Sequence, residues 1–463
     1  MTTLYRPDLL YSNGRFVSGS GLLVSNDGLI LAENSAVNSG NIIDLPGKAL
    51  LPGFVNTHSH SFQRLIRGKS ESRVTSGKDF WSWRGTMYHA AARLAPQDVY
   101  DVARMAFLEM VSAGTTTVGE FHYLHAAPDR SAYVDPNLLA RRVIAAAQSV
   151  GIRIVLLRSA YLRAGYELPP DPGQARFYET LPAFLANMSA LAQETPASST
   201  VHYGVAPHSI RAVPLDALHA IASLAGDLRC PVHMHISEQV AENEACLREY
   251  GATPVSLLAR ERLLGPTWTA IHAAHTTAEE HAMLASAQAT VCACPTTERN
   301  LGDGILDADQ VLSSAIPIAL GSDSQAQIDP LEDARQLDYH LRLIQQQRAI
   351  LDQIGDIPLA RRLFDCATIN GARSLAVPAG SFTPGNYADF FTIDRRDLSI
   401  AGHSAADLLP LLVFGLNRTA IRDVCVHGRF ILRDGQHPLH HDIVSRYADL
   451  HEKVWRDSAA RPQ

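Results

Sequence analysis

The sequence predicts an α/β protein, a (β/α)8 TIM-like barrel carrying a small β-sandwich domain formed from both chain ends. Three observations carry this expectation. Apolar strand-like runs alternate with amphipathic helical stretches from about residue 52 to residue 376. Those runs stop at polar, ionisable residues, as in THSH, HYGVAPHS, PVHMHISE, WTAIHAAH, TVCACPTT and IALGSDS. Both chain ends read instead as short strands broken by turn signals.

Residues 1–51 place Asn13-Gly14, Asp27-Gly28 and Gly40 between short apolar runs with no long helical period, which predicts a small β layer. From 52 to 376 the unit repeats: GTTTVGEF, a helix over 138–150, then IRIVLLRSAY. Periodicity alone also fits an open doubly wound sheet. Reactive side chains gathered at the strand ends favour the barrel, whose active site lies at that face. Residues 377–444 return to short strands, ADFFTID and VCVHGRFIL, after Gly380, Pro384 and Gly385. Pairing them with the N-terminal strands makes one discontinuous domain around an inserted barrel. Residues 445–463 read as a helix ending in a polar, frayed tail.

Composition narrows the function. The 463 residues are 46% hydrophobic and 19% charged, enough for a large core. The net charge of -7 is spread without basic runs, so neither nucleic acid nor an anionic membrane is the expected partner, and a small molecule is. No apolar run reaches the ~18 residues of a membrane span, and the N-terminus lacks a signal-peptide pattern, so the expected location is cytoplasmic. The six cysteines form no C-x-x-C pair; Cys292 and Cys294 are expected as buried thiols on a strand.

The 20 histidines matter because some cluster at strand ends. His58 and His60, in NTHSH, are two residues apart, so on an extended chain both imidazoles face one side and can share a cation. Taken alone, such a pair is equally well explained by hydrogen-bonded core histidines. His235 in HMHISE and Asp323 in IALGSDS complete a set of three imidazoles and one carboxylate. Such a set suits zinc, or iron or manganese, with a position left for water. His233 shares a side of its strand with His235 and competes for the same role. Glu238, three residues beyond His235, is placed to shuttle a proton without binding the metal. His272, in AIHAAH, is placed to polarise the attacked group, whereas His275 is expected to face solvent or a helix.

PGFVNTHSH, HISE, IHAAH and GSDS, in this order, resemble the metal and catalytic signatures of the amidohydrolase superfamily, nearest its deaminase branch. The resemblance covers nearly the whole chain, including PGNYADFFTID. It implies the amidohydrolase type of barrel and selects His235 over His233. With no lysine at a strand end ahead of HISE, it implies one metal ion. Five further segments, HSFQRLIRG, FWSWRGTMYH, GEFHYLH, APHSIRAV and CPTTERNLGDGI, are similar to those of the formimidoylglutamate deiminases. These convert N-formimidoyl-L-glutamate to N-formyl-L-glutamate and ammonia in histidine degradation. The similarity implies substrate contacts at Gln63, Arg84, Tyr123, His208 and Arg211, and a homodimer.

The chemistry supports those positions, because the substrate carries two carboxylates and two guanidinium forks can each grip one bidentately. Each arginine also has a plainer reading, Arg84 stacked on Trp81 or Trp83 and Arg211 paired with Asp216. In the implied mechanism zinc lowers the pKa of water toward ~7, Glu238 accepts the proton, Asp323 orients the nucleophile and His272 assists at the attacked group. Two readings compete. One is a deaminase or chlorohydrolase of the same superfamily acting on guanine, an adenosine derivative or a triazine; the other is a catalytically silent binding protein.

Overall fold

The computed structural model describes residues 2–33, 40–71, 80–353 and 357–456, the side chains of residues 80–82 excepted. Eight strands form the barrel: β1 (Phe54–Ser59), β2 (Thr115–His122), β3 (Arg153–Ala160), β4 (Val201–Pro207), β5 (Val232–Ile236), β6 (Trp268–His272), β7 (Thr290–Ala293) and β8 (Ile318–Leu320). They are hydrogen-bonded in chain order and every neighbouring pair is parallel. Every residue of β2 and of β3 is buried, which is why these strands read as continuous apolar runs: helices cover one face and the barrel interior the other.

The ring closes between β8 and β1 at the residues expected to bind metal. The Asp323 amide donates to the His58 carbonyl at 3.0 Å, and the His60 amide donates to the Asp323 carbonyl at 3.0 Å. Gly321 permits that approach, since a Cβ there would lie 2.7 Å from the Cβ of His58.

A second eight-stranded sheet draws on both chain ends, in the order Arg429–Leu432, Ile421–Val426, Phe390–Asp394, Asn41–Pro52, Thr2–Ser12, Leu22–Ser25 and Ile30–Glu33, with Arg15–Ser18 paired to Thr2–Ser12. It curls over on itself. The Tyr5 and Phe430 rings, from strands four places apart in the order, lie 5.7 Å apart, and the Tyr5 hydroxyl donates to the Gly428 carbonyl at 2.9 Å. Tyr5, Leu10, Leu22, Leu50 and Phe390 fill the core so enclosed, while Ala49, Leu51 and Phe391 join the core of the barrel. Arg153 of β3 pins the two units together through a buried two-pronged pair with Asp389, at 2.7 and 3.1 Å. Removing one partner of such a pair strands the other charge, at a cost of about 3–5 kcal/mol.

The C-terminal helix spans His440–Trp455, starting ahead of the sequence expectation because its first turn carries histidines and an aspartate rather than an apolar stripe. The polar tail beyond residue 456 lies outside the described residues. The helix braces the short 3-10 turn Ser61–Ile66 that follows β1: the Trp455 indole donates to the Leu65 carbonyl at 3.1 Å, and the Tyr447 hydroxyl donates to the Arg64 carbonyl at 3.0 Å. Among the described residues no helix is long and apolar enough to cross a membrane.

Candidate active site

The strand ends bring His58, His60, His235 and Asp323 together, with one ligand atom from each residue and all four atoms within 4.8 Å of one another. All four residues are buried. The His58 and His235 Nε2 atoms are 3.2 Å apart and those of His60 and His235 are 3.4 Å apart; Asp323 Oδ1 lies 3.2 Å from His58 Nε2 and 3.3 Å from His60 Nε2. Burial lowers the pKa of each imidazole, which favours the neutral ring carrying one proton.

For two of the rings the proton's position is set by the backbone. His60 Nδ1 donates to the Phe121 carbonyl and His235 Nδ1 to the His208 carbonyl, both at 2.8 Å. Their Nε2 atoms therefore present lone pairs to each other with no hydrogen to bridge them, an arrangement that a cation held between them relieves. The donor set thus fits a divalent metal on internal grounds. His233 is excluded from it. Although it faces the same side as His235, it lies one layer deeper, and its Nε2 is occupied by the Ser374 carbonyl at 3.1 Å.

Around the set runs a tight polar frame. Glu120 of β2 accepts from the Ser59 hydroxyl at 2.6 Å and from the Ser61 amide at 2.7 Å, while Gln325 Nε2 donates to both the Ser59 hydroxyl and the Asp323 carbonyl at 2.9 Å. Burial pushes Glu120 up to about 7 against the serine hydrogen bonds, which work to lower it. Three residues at the strand ends, Ser237, His272 and Asp323, have φ of +52°, +68° and +44°. Non-glycine residues held there cost about 1–3 kcal/mol each, and such strain collects where side chains must be aimed rather than simply packed.

Glu238, turned off the strand by Ser237, faces His272 across 3.9 Å between Oε1 and Nε2, and His272 Nε2 lies 3.8 Å from Asp323 Oδ2. Burial raises the Glu238 carboxyl above its ordinary value, with His272 opposing and Asp323 adding to the rise. A carboxyl raised in this way is a better proton acceptor than an ordinary carboxylate, which suits it to take a proton and hand it on.

Every other residue expected at the site lines the same pocket, His58 alone lying beneath it. Gln63 Nε2 donates to the Tyr123 hydroxyl at 2.6 Å, so the two act as one unit. Arg84, on the helix Phe80–Ala91, lies 5.4 Å from the Tyr88 ring centroid; the Trp81 side chain of the alternative reading is outside the described residues. Arg211 takes the Tyr161 hydroxyl at 2.9 Å and the Ala164 carbonyl at 3.1 Å rather than Asp216. The His208 ring stands 4.7 Å from that of His235, whose Nδ1 its carbonyl holds. His275, expected to face solvent or a helix, instead meets the Asp303 carbonyl at 2.7 Å, because that loop folds back over it.

Sequence reasoning missed part of the pocket wall. Tyr161 ends the run IRIVLLRSAY, and the strand-end rule that found the histidines would have found it too. Phe177 comes from the irregular segment 161–180, where no periodicity points inward. That segment is tied to the helix bearing Arg84: Gln174 Nε2 donates to the Tyr88 hydroxyl at 2.8 Å and Arg176 donates to the Ala91 carbonyl.

A parallel eight-stranded barrel, with three neutral imidazoles and a carboxylate converging at the carboxyl ends of its strands, defines a metal-dependent hydrolase. The Amidohydrolase family profile matches residues 49–431, and the chain belongs to that family. It is 35% identical to a formimidoylglutamate deiminase of Pseudomonas aeruginosa over 89% of this chain and 91% of that one. It is 27% identical to a 5-methylthioadenosine/S-adenosylhomocysteine deaminase of Shouchella clausii over 92% of each. An amidohydrolase from Brucella melitensis, of known crystal structure, superposes with a TM-score of 0.90 at 30% identity, covering 98% of this chain and 99% of that one.

Proposed function

We propose that this hydrolase releases ammonia from N-formimidoyl-L-glutamate, leaving N-formyl-L-glutamate. One observation carries the reading: Arg84 and Arg211 stand on different elements of the single pocket whose floor is the metal group. A ligand with one amidine end and two carboxylates meets that pattern, with the amidine at the floor and a guanidinium for each carboxylate. A purine or triazine has no carboxylate for either arginine. The similarity to formimidoylglutamate deiminase supports the same substrate.

A divalent cation on His58, His60, His235 and Asp323, zinc by the chemistry of three imidazoles and one carboxylate, supplies Lewis acidity that makes water nucleophilic near neutral pH. Glu238 accepts the proton that water gives up as its oxygen bonds to the formimidoyl carbon. The resulting tetrahedral carbon bears hydroxyl, hydrogen and two nitrogens. Starting from the protonated amidine, Glu238 returns the proton to the terminal nitrogen, the C–N bond breaks, and the hydroxyl proton passes by way of Glu238 to the departing ammonia as the carbonyl forms. His272, across from Glu238, steadies the attacked group while charge develops. Gln63 with Tyr123, and His208, complete the wall around the amidine and its chain.

The test is ammonia release by zinc-loaded protein from N-formimidoyl-L-glutamate, beside guanine, adenosine and S-adenosylhomocysteine. Turnover of formimidoylglutamate alone is expected. Turnover of a nucleobase alone would return the arginines to structural duty and make the site a purine deaminase.

A further inference from the structure

His272 ends β6 with its two ring nitrogens in different company. Nε2 is buried with no hydrogen-bond partner among the described residues and points toward Glu238 and Asp323, at 3.9 and 3.8 Å. Nδ1 turns the other way and meets Glu298 Oε1 at 3.2 Å. Glu298 sits in the first turn of the helix Pro295–Leu301, is 3% exposed, and belongs to none of the roles described above. Its Oε1 is already fixed: the Cys294 amide donates to the same atom at 2.8 Å. One carboxylate oxygen therefore collects a backbone N–H, which cannot reverse its polarity, and one imidazole nitrogen.

We propose that Glu298 is a positioning residue that sets the tautomer and aim of His272, keeping the ring proton on Nδ1 and presenting Nε2 to the reacting group. The backbone donor is the decisive part. Because the Cys294 N–H demands an acceptor at Oε1, the imidazole nitrogen that shares this atom must be a donor too. The positive φ of His272 at +68° and of Ala273 at +53° is the backbone distortion that turns the ring into this position. The Cys294 thiol also approaches, so that one ligand atom each from His272, Cys294 and Glu298 lie within 4.8 Å of one another. Both lone pairs of Oε1 are directed at hydrogen-bond donors, which leaves that oxygen none for a second metal.

The role rests on the hydrolase reading in which His272 faces the attacked group, so the experiment has one arm that needs no substrate. Zinc-loaded protein labelled with 15N-histidine, its His272 signals identified by their loss in His272→Asn, is expected to show Nδ1 protonated; a bare Nδ1, with the proton on Nε2 alone, would overturn the proposal. In the second arm, Glu298→Met is expected to lower kcat on formimidoylglutamate about 100-fold with KM moved less than about 3-fold, the pattern of a lost orientation rather than lost binding. Glu298→Gln is expected to stay within about 10-fold of wild type, because the backbone donor forces its amide oxygen, not its nitrogen, into the Oε1 position and preserves the tautomer. Equal losses in both variants, a loss carried by KM, or two zinc ions per chain in wild type would each overturn it. If formimidoylglutamate is refused by wild type, the ring-nitrogen signals still decide the role of Glu298 while the substrate assignment alone fails.

Discussion

The floor and the wall of this pocket are built differently. On the floor, His58, His235 and His272 belong to strands, His60 follows directly on β1 and Asp323 stands three residues past β8, and barrel closure itself runs through the backbone of His58, His60 and Asp323. On the wall, Gln63 rides a 3-10 turn, Arg84 a helix outside the barrel, Phe177 an irregular segment, and only Tyr123, Tyr161 and His208 follow directly on a strand. The floor cannot shift without opening the barrel, so its chemistry is rigid. The wall is held by side-chain bonds across separate segments, so substrate choice can change there without touching the metal ligands.

That contrast predicts a split in mutant kinetics. Glu238→Gln removes the proton acceptor and nothing from the metal set, so kcat is expected to fall by about 10²–10⁴ while bound zinc stays at wild-type level. Zinc analysis beside steady-state rates decides it, and near-normal turnover would end the shuttle role. A smaller effect of opposite kind is expected at Arg211, which reaches the pocket from outside the strands. Arg211→Met is expected to cost about 100-fold in kcat/KM for the dicarboxylate, mostly through KM, as a lost charge-assisted pair does. The same change is expected to leave a formimidoyl substrate lacking one carboxylate nearly unaffected. An equal penalty on both substrates would mean that Arg211 shapes the pocket without gripping the ligand.

The two regions also differed in how far the sequence revealed them. A strand alternates its faces every two residues, so His58 and His60 could be paired from spacing alone. Parity could not rank His233 against His235, since both face inward; depth in the barrel separates them, and depth depends on the Ser374 plug from a helix more than a hundred residues away. On the wall, Arg84 and Arg211 were found through resemblance, whereas Phe177 and the bond between Gln63 and Tyr123 were not, because irregular segments have no period from which to infer a direction. Glu298 lies inside CPTTERNLGDGI, yet the role proposed for it depends on the Cys294 amide, and backbone donors leave no mark in a sequence.

The smallest effect concerns what anchors the wall. Phe177 lies two residues before Glu179, whose carboxylate receives the Arg158 fork of β3 at 2.5 and 2.9 Å and the Asn187 amide at 2.7 Å. Burial alone would raise this carboxyl, but His125, Arg158 and Asn187 outweigh it and bring it from 4.5 down to about 2. Burial pushes His125 itself down to about 4, so at neutral pH Arg158 is the charge that holds the carboxylate. With the folded value below the unfolded one, the unfolded chain takes up the proton first. The contribution to stability is therefore complete above the unfolded value and is lost as pH falls from 4.5 toward 2. Between pH 7 and pH 4 only the first part of that loss occurs, about 1 kcal/mol. Glu179→Gln cannot titrate. The melting-temperature gap between wild type and Glu179→Gln is therefore expected to narrow by about 1 °C between pH 7 and pH 4. Because both proteins keep the same metal floor, any acid-induced loss of metal shifts both curves alike and leaves the gap to report on the wall. A gap unchanged by pH would mean that Glu179 supports the segment through its shape and hydrogen bonds, and not through its charge.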